Sequence, residues 1–378
     1  MKILHTADWH LGKTLKGQPL IDDQKFIIDK MFDEVIDKQK FNAVIVAGDV
    51  YDRAVPSVEA VNLFDETLTR FVERNLPVLI IAGNHDSASR LNFGSKLFAS
   101  KGIHIATRVE DVPATVKIAD DFGDVYFSLI PFFDAGDIHA KFFDKDSERL
   151  SAEAANKFYL DRARQEIPAG SRSVAVAHAF ISGMTKTESV RDIVGCAEGI
   201  GAEIFADYNY VALGHIHSPR SAGKNLRYSG SPLKYSFDEA DQKKGVTIVD
   251  IDEAGNVTAE NISLTPRRDV VVVKDSFARL MERSPVDDYA QIILTDEIYQ
   301  PEAADRLRAV FPNLLDFKYE KHLTSYDDNA EETFRKDAPI AEQFANFFKY
   351  MTDTDLNAAE QEAFEEILRE VDREEAQQ

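Results

Sequence analysis

Seven side chains with the chemistry of metal ligands stand directly after short apolar runs of this 378-residue chain. Asp8 and His10 form D-x-H after KILHTA, and Asp49 closes A-G-D after NAVIVA. Asn84, with His85 beside it, belongs to G-N-H-D after PVLIIA; His178 follows SVAVA; His215 and His217 make G-H-x-H after VAL. Carboxylate, carboxamide and imidazole donors together suit Mn, Fe or Zn better than Ca or Mg, and the lack of thiolates removes the usual structural zinc. The donors are too many for one ion, so two are implied. Any one of these residues alone would read as a turn, cap or satisfied core group. Five strand ends that all supply such residues form a set that accident does not produce. His5, His104, His139 and His322 lack that setting and read as ordinary histidines.

The apolar runs are what must position the ligands. KILHTA, Asn42 to Ala47 and Pro77 to Ala82 read as buried strands, separated by helical spacing over Asp22 to Lys38 and Ser57 to Glu73. Further strands are expected at Val125 to Ile130, Ser173 to Ala177, Val211 to Leu213, Val246 to Ile251 and Val257 to Leu264, with a helix from Ser151 to Gln165 and a hairpin turn at Glu253-Ala254-Gly255-Asn256. Strand, helix, strand in repetition implies an α/β sheet with helical covers. Ligands collect at the carboxyl ends of strands in such a sheet. Gly48, Gly83 and Gly214, each one residue before a ligand, suit a backbone that passes close to the site. After Pro266 a compact set restarts: strands at Val270 to Lys274, Ala290 to Thr295 and Leu315 to Tyr319, helices near Phe277 to Glu282 and Pro301 to Val310.

The blocks D-x-H, G-D, G-N-H-D, H and G-H-x-H, in this order over positions 8 to 217, resemble the signature of the calcineurin-like metallophosphoesterases. The resemblance implies an α/β metallophosphoesterase sandwich. It also implies that Asp8, His10, Asp49 and His217 hold one ion, that Asp49, Asn84, His178 and His215 hold the other, and that His85 is the proton donor. Two cations about 3.5–4 Å apart could bind a phosphodiester and bring the pKa of a water towards about 7. The segments KILHTADWHLG, GDVYDRAVP, NHDSASRL and YSGSPLKYSFDE are similar to the bacterial SbcD nuclease family. By that resemblance the ions are two Mn²⁺, with Mg²⁺ or another divalent ion as substitutes. The substrate would be DNA, cut as an exonuclease and a hairpin-opening endonuclease in double-strand break repair, recombination and replication. Arg53 and Arg90, beside ligand loops, are candidates to grip phosphates. Archaeal and eukaryotic relatives place a histidine where Asp52 stands here, as is common in bacterial members.

The implied division is a nuclease domain over residues 1–265, a small α/β DNA-capping domain over 266–325, and an acidic linker with C-terminal helices over 326–378. Ile340, Phe344, Phe347, Phe348 and Met351, then Phe364, Ile367, Leu368 and Val371, make two amphipathic helices expected to dock on the SbcC ATPase. A homodimer within a heterotetramer is the expected assembly. The net charge of −22 argues against a free-standing DNA binder. From Asp327 to the end there are 16 Asp/Glu against 5 Lys/Arg, so half of that excess lies outside the catalytic portion. A single cysteine, Cys196, and no signal-like or membrane-length apolar run point to the cytoplasm. The competing readings are a metallophosphoesterase for small nucleotides or phospholipid sugars and a non-catalytic scaffold. The scaffold has no reason to keep eight polar side chains whose burial costs stability.

Overall fold

A computed structural model of the chain describes residues 1–185, 199–320, 339–352 and 354–375; Cys196, His322 and the acidic stretch 327–338 fall outside these. It divides into two compact units, Met1–Val272 with Asp287–Ala290, and Val273–Val286 with Gln291–Gln378.

In the first unit the expected strands divide between two six-stranded sheets, the sandwich that the resemblance implies, where the alternation of strands and helices alone suggests a single sheet. The first sheet runs Val257–Ser263, Gly245–Ile251, Lys2–Thr6, Ala43–Ala47, Val78–Ile81, Ile103–Ala106. Its last four strands are parallel, with Leu4 opposite Val44 and Val44 opposite Val78. The second runs Arg220–Ser221, Leu226–Tyr228, Tyr210–Gly214, Arg172–His178, Gly123–Ile130, Ala114–Asp120. Its central strands are also parallel, with Gly214 opposite His178. Every residue of Ala43–Ala47 and of Arg172–His178 is buried, as expected of parallel strands covered on both faces.

Ile3, Ile45, Leu79 and Ile81 of the first sheet pack with Phe127, Leu129, Val174, Val176 and Ala212 of the second in one core. The other face of the second sheet is covered by Ala152–Gln165, which buries Ala155, Tyr159, Leu160 and Ala163. Ser151 caps that helix through Ala154 N (3.1 Å), and Ser57 caps Val58–Glu73 through Ala60 N (3.3 Å). The helix expected over Asp22 to Lys38 is α-helical only over Ile21–Lys30, then passes through a π turn at Met31–Val35 and a 3₁₀ turn at Ile36–Lys38. Phe32 in that turn packs on Phe71 (centroids 4.8 Å apart), and full burial of each ring contributes about 1.5–3 kcal/mol.

The second unit carries the greater part of a three-stranded sheet in the order Val270–Asp275, Tyr289–Leu294, Leu314–Tyr319, with short helices Phe277–Met281 and Ala303–Leu307. Phe277, Leu280, Ile292, Leu294, Leu307 and Phe311 are among its buried apolar residues. Helices Ile340–Thr352 and Ala358–Glu375 pair through Phe344, whose ring stacks on Phe364 with centroids 3.8 Å apart.

Candidate metal centre

Three neighbouring parallel strands of the first sheet deliver Asp8 and His10, Asp49, and Asn84 and His85; two neighbouring parallel strands of the second deliver His178, and His215 and His217. The turns that follow the strands are tight. Among the described residues seven non-glycine positions have positive φ, and four of them are Asp8 (53°), His10 (43°), Asp49 (49°) and His215 (102°). Strain of this kind persists where the surroundings over-determine it. Two glycines allow the close approach: a Cβ on Gly83 would lie 2.2 Å from Asp49 Oδ1, and one on Gly214 would lie 1.8 Å from the carbonyl oxygen of Ala47.

All seven expected ligands converge. On one side His10 Nε2 faces His217 Nε2 at 3.0 Å, and Asp8 and these two histidines offer donor atoms within 4.8 Å of one another. On the other, Asn84 Oδ1 lies 3.0 Å from both His178 Nε2 and His215 Nδ1. Asp49 Oδ2 stands between the groups, 3.5 Å from His10 Nε2 and 3.4 Å from His178 Nε2. Its other oxygen accepts the backbone N–H of His85 (2.8 Å).

These donors fit divalent cations. Asp8 is fully buried, and its Oδ2 has no hydrogen-bond partner among the described residues, a costly state that a cation would relieve. Burial pushes the Asp8 carboxyl up to about 6 despite the neighbouring His178 and His217. Burial also holds His10 well below the usual imidazole range, against the pull of Asp49. At His178 burial alone would lower the pKa, but the carboxylates of Asp49 and Asp8 outweigh it and raise it to about 9. Protons and cations therefore compete for this cluster.

The remaining sequence candidates are placed as follows. His85 is buried, and its Nδ1 donates to the carbonyl oxygen of Asp52 (2.8 Å), which directs Nε2 away from that contact; its ring lies 4.6 Å from that of His10. Asp52 shares a possible ligand trio with His10 and His85, but its Oδ1 already takes the ammonium of Lys13 at 2.8 Å. Asp86 follows His85 and precedes Ser87, which holds the cap position of the next helix. Its carboxylate accepts the N–H groups of Val50 (3.1 Å), Tyr51 (2.9 Å) and Gly83 (2.9 Å), and so ties the Asp49 loop to the Asn84 loop. Arg53 is exposed with Nε 3.5 Å from Asp52 Oδ2, and Arg90 is exposed on the short helix Ala88–Leu91. His5 is buried against the Tyr210 hydroxyl (2.9 Å), and burial pushes its pKa down to about 3.

Sequence reasoning missed a second layer. Gln24 donates to the carbonyl oxygens of Trp9 (3.1 Å) and His10 (2.7 Å), while Tyr235 stacks edge-on against His10 and His217. Glu239, wholly buried, places Oε1 3.1 Å from His217 Nδ1. Burial would raise its carboxyl, but His217 and Lys244 outweigh burial and hold it well below the usual range. Only the 22-residue offset between His217 and a carboxylate in YSFDE was available as a signal, and spacing carries no weight across a loop.

Paired sheets whose strand ends carry this donor set define a metal-dependent phosphoesterase, and the family model of calcineurin-like phosphoesterases matches residues 1–219. Two relatives, each named as the SbcD component of the nuclease SbcCD, match nearly end to end. That of Staphylococcus epidermidis is 31% identical over 97% of this chain and 98% of its own, and that of Staphylococcus saprophyticus is 31% identical over the same shares. The chain belongs to the calcineurin-like phosphoesterases and, within them, to the SbcD family. Among solved structures, the calcineurin-like phosphoesterase YfkN from Bacillus subtilis aligns with a TM-score of 0.35 and 11% identity, covering 70% of this chain and 90% of that one. The family uses divalent ions, and the Asp and His groups above can bind them. No helix among the described residues is long and apolar enough to cross a membrane.

Proposed function

We propose that this chain is a two-metal DNA nuclease that hydrolyses phosphodiesters at DNA ends and hairpins, with Mn²⁺ as the preferred ion and Mg²⁺ or another divalent ion as a substitute. The observation that carries the reading is the position of Asp49 Oδ2 between two imidazole-bearing groups. Asp8, His10, Asp49 and His217 would hold one ion, and Asp49, Asn84, His178 and His215 the other. Two such ions, when bound, supply Lewis acidity to the phosphoryl oxygens and a nucleophile at neutral pH.

The chain's own residues then position substrate and move a proton. His85, oriented through Nδ1 by the carbonyl of Asp52, directs Nε2 to the leaving oxygen and protonates it. Its backbone N–H holds Asp49 Oδ1, which leaves Oδ2 to the ions. Arg53 and Arg90 grip the flanking phosphates with planar, bidentate donors. The module from about residue 266 to 325 would serve as a DNA-capping domain.

The relatives' name, which makes each of them one component of SbcCD, supports a partnership with the SbcC ATPase in cytoplasmic double-strand break and hairpin processing, recombination and replication. The C-terminal helices are the proposed contact: Ile340, Phe347 and Ile367 are exposed even with Phe344 stacked on Phe364. Exposed Val58, Val61, Phe93 and Leu97 support self-association into a homodimer within a heterotetramer. The test is cleavage of blunt linear and hairpin-ended DNA by the purified chain, with and without Mn²⁺ and the ATPase. Manganese-dependent cutting, with hairpin opening enhanced by the ATPase, is expected. Hydrolysis of mononucleotide diesters with DNA left intact would favour the small-nucleotide reading, and no hydrolysis of either would favour the scaffold.

A further inference from the structure

The two halves of the centre are oriented by different means. His178, in the half with Asn84 and His215, has its Nδ1 on a neutral backbone acceptor, the carbonyl oxygen of Ala47 (2.9 Å). His217, in the other half, has its Nδ1 on the carboxylate of Glu239 (3.1 Å). The second oxygen of that carboxylate takes the Lys244 ammonium (2.8 Å) and the Tyr235 N–H (3.0 Å). Lys244 is itself buried, and also donates to the carbonyl oxygen of His217 (2.7 Å), Ser231 Oγ (3.1 Å) and Gln242 Oε1 (2.8 Å). Ser231 N adds a second bond to the same His217 carbonyl (3.1 Å). The segment from Ser231 to Lys244 thus holds both the ring and the backbone of His217, while its Tyr235 ring packs edge-on against His10.

We infer that Glu239 is a positioning residue that makes the two metal positions unequal, so that the ion on the Asp8, His10 and His217 side binds more tightly than its neighbour. The inference rests on the two-metal reading above. A carboxylate on Nδ1–H fixes the tautomer with Nε2 bare towards His10, and makes that nitrogen a stronger donor; such outer partners change metal affinity by about 10–100-fold. The neutral carbonyl behind His178 fixes a tautomer without adding charge. Lys244 keeps Glu239 anionic in a wholly buried place and sets which oxygen faces which partner.

That arrangement gives Glu239→Gln a specific consequence. Tyr235 N–H needs the acceptor and the Lys244 ammonium repels an NH₂ group, so the amide oxygen must turn towards them and the amide NH₂ towards His217 Nδ1. A donor there drives the His217 proton to Nε2, the face that meets the ion. Shape and buried volume hardly change.

The experiment is Mn²⁺ titration by calorimetry of the full chain and of Glu239→Gln, with unfolding in EDTA measured alongside. The wild type should show two unequal sites, and the variant should lose about 10–100-fold in the tighter one alone. Two equal wild-type sites, or equal loss at both sites in the variant, would overturn the inference; fewer than two sites in the wild type would instead overturn the two-metal reading on which it rests. Should the variant fail to fold, ¹⁵N imidazole spectra of EDTA-treated wild type decide. A proton on His217 Nδ1 is expected, and a proton on Nε2 would refute the role of Glu239.

Discussion

Replacing Asp86 by alanine removes a side chain that joins the loops bearing Asp49 and Asn84 through three hydrogen bonds. Three backbone N–H groups lose their acceptor, those of Val50, Tyr51 and Gly83, and none has a second partner among the described residues. Leaving a buried donor unsatisfied costs about 1–3 kcal/mol, so three would cost about 3–9 kcal/mol. Asp86 is only partly buried and water can enter the space it leaves, which places the expected loss near the lower end, about 3–5 kcal/mol. Asp86→Asn should cost about 1–3 kcal/mol, because its NH₂ must face one N–H while its oxygen serves the others. Urea unfolding in EDTA measures the stability term free of metal, and Mn²⁺ titration of the folded variant then measures how far the loops have drifted. Affinity should fall at both proposed ion positions, since Asp49 Oδ2 stands between the two groups of donors. Asp86→Ala with stability within about 0.5 kcal/mol of wild type and unchanged Mn²⁺ binding would refute the reasoning, as it would class the residue with ordinary surface changes.

Further outcomes follow from the same geometry. His85→Ala should retain both ions and lose about 10²–10⁴-fold in DNA cleavage, as measured by single-turnover assay; loss of an ion would make His85 a ligand instead. Truncation after Tyr326 should leave manganese-dependent cleavage of simple DNA ends and the melting temperature intact while abolishing co-purification with the ATPase; early melting or aggregation would mean that the helices pack on the rest of the chain. Arg172, bonded to Asp120 Oδ2 at 2.9 Å, holds the Asp120 carboxyl below the usual carboxylate range despite partial burial, with the amino group of Met1 adding to the effect. A depressed folded pKa stabilises above the ordinary carboxylate pKa and is lost as pH falls, so Asp120→Asn should lower the melting temperature at pH 7, and the gap should narrow steadily below about pH 4. A gap that stays constant with pH would remove the charge from the explanation.

The convergence of the candidate donors was legible because its code is local. Each candidate follows an apolar run, and glycine often precedes it, so Asp8, His10, Asp49, Asn84, His178, His215 and His217 could be grouped without knowing which strands pair. Which strands belong to which sheet was not legible in their patterns, although the resemblance implies a sandwich. It depends on Gly245–Ile251 returning to pair with Lys2–Thr6 across more than two hundred residues, and nothing in either strand names its partner. Ala114–Asp120 escaped notice because it is a half-exposed edge strand whose apolar residues alternate with Thr, Lys and Asp and are nowhere fully buried. Glu239 and Lys244 escaped because ionic residues in loops are usually solvated; only the structure places both in the interior, neutralising one another behind His217. The tie made by Asp86 was not legible either, because its partners Val50 and Tyr51 lie 36 and 35 residues away.

The two-metal assignment is tested most directly by anomalous diffraction from crystals of the full chain grown with Mn²⁺. The account predicts two peaks about 3.5–4 Å apart. One should be bounded by Asp8, His10 and His217, the other by Asn84, His178 and His215, with an oxygen of Asp49 reaching both. A single peak at saturating Mn²⁺, or a peak held by His10, Asp52 and His85 in place of either, would contradict it.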